Sequence, residues 1–344
     1  MKKSIFIICF LLLFSFVLEA QLSFKEKRQI ARSYNTGVEQ IYSQDYSAAI
    51  ISFTRCLDLD KAYALGYLQR GRSYAALGDM EEAMSDLNMA ITSDPNMGEA
   101  YFYKGYLFSH NDSTGMAREN IEMAIEKGFE MAEGYHQLGL IYLLEGDDDE
   151  ALKNFNRALT MKDNIGLAYH DRAGIKRRLG DYNGALYDYK SAVNYMPELP
   201  IAYSNMGTVK IILGDYQGAL QDFGTAIELD PGLFLAYNNR GYANFQLGEL
   251  DAALLDFERA IEMEAGFMEA KLNSSSTKAK QMDYEAAESM LDEVIEEYPG
   301  MGMLYLNRGL IKELQGNVIG ACEDWSMALS LDEPQAEEYL KECK

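Results

Sequence analysis

Apolar and small residues recur along this chain with a period of 34 residues, from residue 30 to residue 335. When each 34-residue block is numbered from its first residue, positions 4, 8 and 11 fall on one face of a first helix, helix A. Positions 20, 24 and 27 fall on one face of a second helix, helix B, at the i, i+4, i+7 spacing of an amphipathic helix. The pattern therefore predicts helix pairs in which each helix has about a dozen residues and is roughly 20 Å long.

Nine such blocks follow one another without an insertion or a deletion. Each block can bury its apolar face only by stacking on its neighbours, so the period predicts a solenoid. Position 20 is Ala in all nine blocks, position 4 is Tyr in seven, and position 8 is Gly in seven. Position 24 is large and apolar in all of them. The blocks are 30–63, 64–97, 98–131, 132–165, 166–199, 200–233, 234–267, 268–301 and 302–335.

The turn between the two helices carries a Leu-Gly-Asp motif in several blocks, at 77–79, 179–181 and 213–215. Its Gly is expected to end helix A in the left-handed conformation, and its Asp to cap helix B. Position 32 is Pro in four blocks and is expected to end helix B. The eighth block departs most, with Lys271 at position 4, Ser275 at position 8 and Met282 in place of the turn Gly. Its helix A is predicted to be the least stable of the array.

The 34-residue period, with its Tyr at position 4, Gly at position 8, Ala at positions 20 and 27 and Pro at position 32, resembles the tetratricopeptide repeat. The resemblance covers 306 of the 344 residues. It implies an all-α solenoid of helix-turn-helix repeats forming a right-handed superhelix. It also implies that positions 2, 5, 6, 9, 12 and 13 of the A helices line a concave groove that binds a protein or peptide, without catalysis.

The residues at these groove positions suggest how a partner would be held. Position 6 carries Asn in five blocks, and an amide offers a donor and an acceptor as a peptide backbone does. Asn at this position is also common in the repeat without any ligand, so both interpretations stay open. The lining is otherwise apolar and aromatic, with Tyr34, Phe102, Tyr103, Tyr106, Leu143, Leu144, Ile211, Tyr242 and Phe245. The predicted peptide-binding residues are Asn205, Asn239, Asn273, Asn307, His136, His170, Arg177, Arg178 and Tyr242.

Arg177 and Arg178 form the one basic spot of the predicted groove. They could receive a carboxylate or another anion of a partner. Equally, they could balance Glu133 and Asp171. A metal ion shared by His136 and His170 is not expected, because neighbouring helices are about 8–10 Å apart and no third ligand is evident.

A second pattern joins the two helices of one block. Position 7 is Arg in four blocks, and position 23 is Asp in the same four. The match within a block predicts a partly buried Arg–Asp ion pair between helix A and helix B, the alternative being independent surface charges. Loss of one member of such a pair should cost about 3–5 kcal/mol. The expected pairs are Arg70 with Asp86, Arg172 with Asp188, Arg240 with Asp256, and Arg308 with Asp324.

The formal net charge is −23, which argues against general binding of nucleic acid. It does not establish a basic partner, because many of the acids lie where the repeat places helix caps. The acidic run 147–150 resembles a calcium site, but it lies at the start of a helix B, where carboxylates favour the helix dipole. No catalytic or phosphate-binding motif is present in the sequence, and neither a cofactor, a metal nor an enzymatic activity is expected.

The N-terminal sequence predicts a cleaved signal peptide, and the C-terminal sequence predicts a capping helix. Residues 1–20 have a basic start, an apolar run too short to span a membrane, and a small residue before a polar one, which favours a secretory signal peptide cleaved after Ala20. The alternative is an uncleaved anchor. A lead-in, 21–29, precedes the first block, and 336–344 is expected to form a capping helix with Glu337, Glu338, Lys341 and Glu342 outward.

The cysteines give little information about the fold or the function. Cys56, at the small-residue position 27, is expected to be a buried substitute for Ala. Whether Cys322 and Cys343 form a disulfide in an oxidising compartment is left open.

The sequence therefore favours a non-catalytic scaffold or adaptor, periplasmic or secreted, that holds a protein segment in its groove. The alternative is a structural subunit of an envelope assembly that interacts through its ends or its convex face. Neither the identity of the partner nor the oligomeric state follows from the sequence.

Overall fold

The computed structural model describes residues 22–109 and 113–343. Within these ranges the regular structure is nineteen α-helices and one 3-10 helix, arranged as consecutive helix pairs. This confirms the predicted all-α class and the predicted pairs. The predicted signal peptide, residues 1–20, lies outside the described residues. The chain divides into two compact units, residues 1–161 and residues 162–344.

The first unit contains four helix pairs. Its helices are α1 Phe24–Tyr42, α2 Tyr46–Leu59, α3 Ala64–Leu77, α4 Met80–Ser93, α5 Gly98–Ser109, α6 Thr114–Glu126, α7 Ala132–Glu145 and α8 Asp148–Met161.

The second unit contains five helix pairs and a short C-terminal cap. Its helices are α9 Gly166–Arg178, α10 Tyr182–Tyr195, α11 Pro200–Ile212, α12 Tyr216–Leu229, α13 Phe234–Leu247, α14 Leu250–Met263, α15 Met268–Lys280, α16 Tyr284–Glu297, α17 Gly302–Leu314, α18 Val318–Ser330 and α19 Ala336–Tyr339, which continues as the 3-10 helix Leu340–Glu342.

From α3 onward the A helices begin at 64, 98, 132, 166, 200, 234, 268 and 302, which keeps the 34-residue step. Only the first A helix departs, because α1 begins at Phe24 and not at residue 30. Ser23 and Glu26 explain the earlier start: the Ser23 hydroxyl accepts from the Glu26 N–H at 3.2 Å, and the Ser23 N–H donates to the Glu26 carboxylate at 2.7 Å. This capping box extends the helix through most of the lead-in.

The core of each repeat lies between its two helices. The Ala of position 20 is buried in all nine repeats, and the large residue of position 24 is buried beside it, as in Phe53 and Phe223. Opposite these rings lies the Gly of position 8. A Cβ on Gly37 would lie 2.6 Å from the Phe53 ring, and one on Gly207 would lie 2.9 Å from the Phe223 ring. Glycine is therefore what allows the aromatic ring to lie against helix A.

The turns agree with the sequence pattern in most respects. Gly78, Gly180 and Gly214 have φ between 79° and 87° and end their A helices. Two of the three following aspartates cap the next helix, since Asp181 and Asp215 each accept a backbone N–H at 2.9 Å. The third, Asp79, makes no such bond, which differs from the expectation. Each helix B with a Pro at position 32 ends two residues before it.

The eighth repeat, α15 and α16, has serines at positions 7 and 8 of its helix A, where most of the other repeats have a longer polar side chain and a Gly. Ser274 and Ser275 are buried, and the Ser275 hydroxyl donates to the carbonyl of Ala287 at 2.8 Å. Met282 has φ +67° where Gly stands in most turns, a conformation that costs roughly 1–2 kcal/mol for an L-residue. These features support the low stability predicted for this repeat, which stays a prediction.

The C-terminal cap is tied to α18 by a disulfide between Cys322 and Cys343, with the Cα atoms 5.8 Å apart. The Tyr339 ring also stacks on Trp325, with centroids 5.2 Å apart. The cap is shorter than predicted, since α19 ends at Tyr339. Its four charged residues are exposed as expected. Cys56 is fully buried, as predicted, and burial raises the pKa of its thiol to about 11.

Across 22–109 and 113–343, no helix is both long enough and apolar enough to cross a membrane.

Candidate functional site

Each Arg of position 7 forms a forked ion pair with the Asp of position 23 in its own repeat. In the second repeat, Arg70 Nε lies 2.7 Å from Asp86 Oδ2 and Arg70 Nη2 lies 2.8 Å from Asp86 Oδ1. The pairs of Arg172, Arg240 and Arg308 have the same geometry, with distances of 2.6–2.9 Å. Such bidentate, charge-assisted contacts are stronger than hydrogen bonds between neutral groups. These arginines hold the two helices of one repeat together.

The remaining guanidinium nitrogen can also join neighbouring repeats. Arg70 Nη1 donates to Thr54 Oγ1 at 3.0 Å, and Arg308 Nη1 lies 2.6 Å from Asp292 Oδ1. Thr54 and Asp292 both occupy position 25 of the preceding helix B. Position 7 of helix A therefore faces the preceding repeat as well as its own.

A second cation at position 11 was missed by the sequence reasoning. Lys176 Nζ lies 2.8 Å from Asp188, Lys210 Nζ lies 2.6 Å from Asp222, and Lys312 Nζ lies 2.9 Å from Asp324. Position 11 follows position 7 by one helical turn, so both can reach the same carboxylate. The signal was available, because a Lys at position 11 accompanies the Asp at position 23 in these three repeats.

The predicted binding positions of the A helices are called the A-helix face below. In the first unit this face contains a pocket of about 390 Å³, within the usual range for ligand pockets. Arg72 is the only charged residue of its wall: its guanidinium lies 4.4 Å from the centre of the Tyr103 ring and donates to Glu99 at 3.2 Å. The wall is otherwise mostly apolar. It comprises Ile41, Tyr46, Gly71, Arg72, Ser73, Ala75, Ala76, Met80, Leu87, Tyr103, Tyr106 and Leu107.

Two predicted contact residues of the first unit are not exposed. Phe102 and His136 are each only 8 % exposed, so the expectation that they line an open surface is wrong. Both occupy position 5 of helix A and contact aromatic rings of their own repeats. The Phe102 ring lies 5.6 Å from that of Phe129, and the His136 ring lies 5.7 Å from that of Phe155.

In the second unit the A-helix face carries a row of polar side chains that bond to one another. Asn205 Nδ2 lies 3.2 Å from His170 Nε2, and Asn273 Nδ2 donates to Asn238 Oδ1 at 3.0 Å. Asn239 accepts from Asn238 and reaches Thr208 Oγ1 at 3.4 Å. The amides thus join adjacent A helices. Each amide can make up to four hydrogen bonds, so capacity for a partner remains.

The other predicted contact residues are placed as follows. Asn307 lies in the wall of a cavity of about 190 Å³ between the eighth and ninth repeats, and Tyr242 is half-buried. Arg177 is half-buried, and its Nε has no hydrogen-bond partner among the described residues. Burial raises the pKa of Tyr189, and the nearby Arg177 opposes this shift. Arg178 is exposed at the end of α9.

The acidic run 147–150 acts as a helix cap, because Asp147 Oδ1 accepts the Glu150 N–H at 3.1 Å. Within the part of the chain that the structure describes, no group of three or more His, Cys, Asp or Glu residues is placed to hold a metal ion.

Four family models of the tetratricopeptide repeat match the sequence. One, described as a TPR repeat, matches residues 209–248, and three, described as tetratricopeptide repeats, match 64–97, 132–165 and 234–267. These last three ranges are the second, fourth and seventh blocks.

Curated relatives match over short stretches. A DnaJ homolog subfamily C member 7 homolog of Dictyostelium discoideum is 34% identical over 87 residues, which cover 24% of this chain and 16% of that protein. A Protein SGT1 homolog of Oryza sativa subsp. japonica is 36% identical over 61 residues, covering 18% of this chain and 17% of that protein. The chain therefore spans less than a fifth of the length of these relatives.

Solved structures show the same fold. A tetratricopeptide repeat protein from Parabacteroides merdae superposes with a TM-score of 0.53 at 24% identity, covering 71% of this chain and 98% of that one. PilF of Pseudomonas aeruginosa gives a TM-score of 0.53 at 16% identity, covering 64% and 98%. The four matching repeat models show that this chain contains tetratricopeptide repeats, and the solved structures share its fold of tandem helix pairs.

Proposed function

We propose that this protein is a non-catalytic scaffold of the cell envelope that holds a segment of a partner protein against its A-helix face. The observation that carries the proposal is the pocket of the first unit, which has a mostly apolar and aromatic wall of the right size for a large side chain. Tyr106 and Met80 in this wall are 39% and 40% exposed. Exposed apolar surface of this kind is typical of a binding site.

The polar row of the second unit would serve the same purpose by different chemistry. Asn205, Asn239, Asn273 and Asn307 stand one repeat apart, and the spare donors and acceptors of such amides could bind the backbone of an extended segment. Together with His170, Arg177, Arg178 and Tyr242, they are the proposed contacts of this unit. Arg177 would place a positive charge beside them for a carboxylate of the partner.

An envelope location is supported by two independent features. The first 20 residues have the pattern of a cleavable signal peptide. At the opposite end, the disulfide between Cys322 and Cys343 is a bond typical of proteins outside the cytoplasm. N-terminal sequencing of the mature protein should begin at Gln21, and a mature protein that begins at Met1 would contradict the proposed export by cleavage.

The binding proposal is tested by affinity capture from envelope extract, with one variant in each unit. Ala76→Trp places a large ring in the pocket of the first unit, and the exposed Ala62, outside the pocket, gives the matched control Ala62→Trp. In the second unit, the combination of Asn205→Ala, Asn239→Ala and Arg177→Ala removes part of the polar row. Asn194→Ala changes an exposed amide of helix B as its control.

A partner bound by the A-helix face should be recovered with the controls and lost with the variant of the unit that binds it. Purified partner should then bind wild-type protein at least tenfold more tightly than that variant. Circular dichroism checks that each variant is folded. If both variants recover every partner as well as their controls do, the A-helix face is not the binding site.

The second possibility, a structural subunit that assembles through its ends or convex face, is favoured by one observation. The C-terminal end of the second unit exposes apolar side chains, among them Ile319 at 78%.

A further inference from the structure

Within each unit, one face of a helix B is covered by the helix A that follows it. Asp251, at position 18 of its helix B, accepts at 2.7 Å from Gln281, the residue that caps the C-terminal end of the next helix A. Position 25 is reached in the same way by the Arg of position 7 of the next repeat. Position 28 is apolar, and in the first eight repeats it is buried or half-buried; Leu57 is 3% exposed and Ile295 is 8% exposed.

The last helix B, α18, is covered only in part. The helices that follow it, α19 and the 3-10 helix, have four and three residues, whereas the A helices from α3 onward have 12–14. Leu329 at position 28 is therefore 40% exposed, and Val318 is 53% exposed. An open depression of about 800 Å³ lies between α18 and the cap.

The sequence of α18 differs from that of the other B helices where it is uncovered. Ile319 stands at position 18 and is 78% exposed, whereas none of the other eight repeats has an apolar side chain there. Those residues are Ser47, Glu81, Gly115, Asp149, Asn183, Gln217, Asp251 and Glu285. The surroundings are acidic, since residues 318–343 contain seven acids and one base, and of these acids only Asp324 is buried and paired with Arg308 and Lys312. We call the exposed Val318, Ile319, Met327 and Leu329, with the acids around them, the C-terminal end surface.

The first helix, α1, carries basic side chains that are complementary in charge to the acids of the C-terminal end surface. Its position 7, which faces the preceding repeat elsewhere in the chain, is the exposed Thr36, and Arg32 and Arg28 precede it at four-residue intervals on the same exposed stripe. Residues 22–36 contain four bases and one acid in an otherwise acidic chain. Phe24, at the start of the helix, is 83% exposed.

We infer that the C-terminal end surface of one molecule binds helix α1 of a second copy, head to tail. Helix α1 takes the place that a following helix A has within each unit. Phe24 and the apolar stems of Arg28 and Arg32 cover Val318 and Ile319, and the bases of α1 face the acids beside α18. The inference does not depend on the binding of a partner segment by the A-helix face. It gives the possible assembly a defined subunit contact.

This contact joins two different surfaces. A pair of molecules therefore keeps one unused C-terminal end surface and one unused helix α1. A heterologous contact of this kind extends to open chains or closes into rings, and it does not stop at a dimer unless geometry blocks a third copy. Sedimentation velocity of the protein at increasing concentration should show dimers, followed by larger species. Because the contact joins opposite charges, raising NaCl from about 0.05 M to about 0.5 M should weaken it, as the Debye length shortens.

Two variants test the two surfaces separately. Ile319→Glu places a carboxylate at a position where Glu81 and Glu285 are accommodated, so the fold should be kept while association weakens at least tenfold. Leu255→Glu, which changes an equally prominent apolar side chain of α14 with 68% exposure, is the control and should associate as the wild type does. The double variant Arg28→Glu with Arg32→Glu should lose association through the other end.

Mixing the two variants gives the decisive result. Each variant keeps one intact end, so an equimolar mixture should form dimers and nothing larger, although each alone stays monomeric. A protein that is monomeric at every concentration would overturn the inference. So would dimers that resist the α1 double variant, since these would indicate a contact between two C-terminal ends. The Ile319→Glu variant keeps the A-helix face unchanged, so capture of a partner by this variant tests only binding at that face. The partner-binding proposal and the self-association proposal can therefore fail independently.

Discussion

The sixth and seventh repeats place an aspartate at the same position with the same burial, and give it different cations. Asp256 in the seventh repeat is 6% exposed and receives both arms of Arg240, with Asn244 Nδ2 3.2 Å from its Oδ2. Asp222 in the sixth repeat is 7% exposed and pairs with Lys210, since Met206 stands where the Arg would be. The two sites therefore differ mainly in the side chains at positions 7 and 11 of helix A, which are Arg240 and Asn244 in one repeat and Met206 and Lys210 in the other.

The electrostatic consequences are opposite. The hydrogen bond to Asp256 raises the pKa of Arg240, which means that the ionised pair is favoured in the folded protein. Burial raises the pKa of Asp222, and the single ammonium of Lys210 does not fully oppose it. A planar fork satisfies two carboxylate oxygens at once, whereas a lysine acts as a point charge on a flexible stem.

The largest difference in stability between the two repeats is expected when each aspartate is replaced by asparagine. Asp256→Asn leaves the partly buried Arg240 without its counter-charge and should lower the free energy of unfolding by about 3 kcal/mol. Asp222→Asn should change it by less than about 1 kcal/mol, because the lost attraction is offset by relief of a buried charge. Urea denaturation followed by circular dichroism measures both. Equal losses would show that the cations do not distinguish the two sites.

A smaller effect is expected when the guanidinium of Arg240, which contacts Asp256 through two nitrogens, is replaced by a single ammonium. Arg240→Lys keeps the charge but loses the bidentate contact with Asp256, and should cost about 1.5 kcal/mol. The neighbouring position 25 is Gly224, so Arg240 has no side chain of the preceding repeat to lose at that position. The same urea measurement applies, and a lysine variant as stable as the wild type would contradict the role given to the fork.

The converse substitution should give Asp222 in the sixth repeat a bidentate contact with a guanidinium group. Met206→Arg places a guanidinium opposite Asp222, where the corresponding Arg308 in the ninth repeat keeps its side chain 17% exposed. The free energy of unfolding should rise by about 1 kcal/mol, and the pKa of Asp222, followed by NMR titration of its carboxyl carbon, should fall. A destabilised variant with an unchanged pKa would mean that the site cannot accommodate the fork.

The smallest effect is the dependence of stability on pH. Because the pKa of Asp222 is raised on folding, the unfolded chain loses this proton at lower pH than the folded protein does. The contribution of Asp222 to stability is therefore present in full below the unfolded value and is lost as pH rises through the folded value. The stability of wild type relative to Asp222→Asn should fall as pH rises from about 3 towards 7. A difference that does not change over this range would contradict the raised pKa.

The pairing of Arg and Asp shows how far sequence reasoning reached. Covariation between positions 7 and 23 within single blocks predicted four pairs, because two helices of one hairpin are joined by a short turn of fixed length. Position 11 was missed, because it varies among Gln, Tyr, Phe, Lys and Asn in the nine repeats and leaves a weaker pattern. The contacts of position 7 with position 25 were missed too, because they depend on the packing between repeats.

The predicted binding residues illustrate the opposite limit. A residue number within the repeat places a side chain on a helix face, but it does not say how deeply the next repeat covers that face. Phe102 and His136 were predicted to line an open surface, and they are buried beside Phe129 and Phe155. The aromatic pocket around Arg72 draws residues from three repeats, so no single block contains its signal.

The sequence by itself determined the class of fold, the register of the helix pairs and the residues of each hairpin core, because these follow from a local period of 34 residues. Only the tertiary structure decided what lies between repeats and at the ends. It brought Cys322 to Cys343, left Ile319 exposed and divided the A-helix face into a pocket and a polar row. The physical reason is that local periodicity fixes which side of a helix is apolar, whereas burial depends on how much surface the neighbouring element covers.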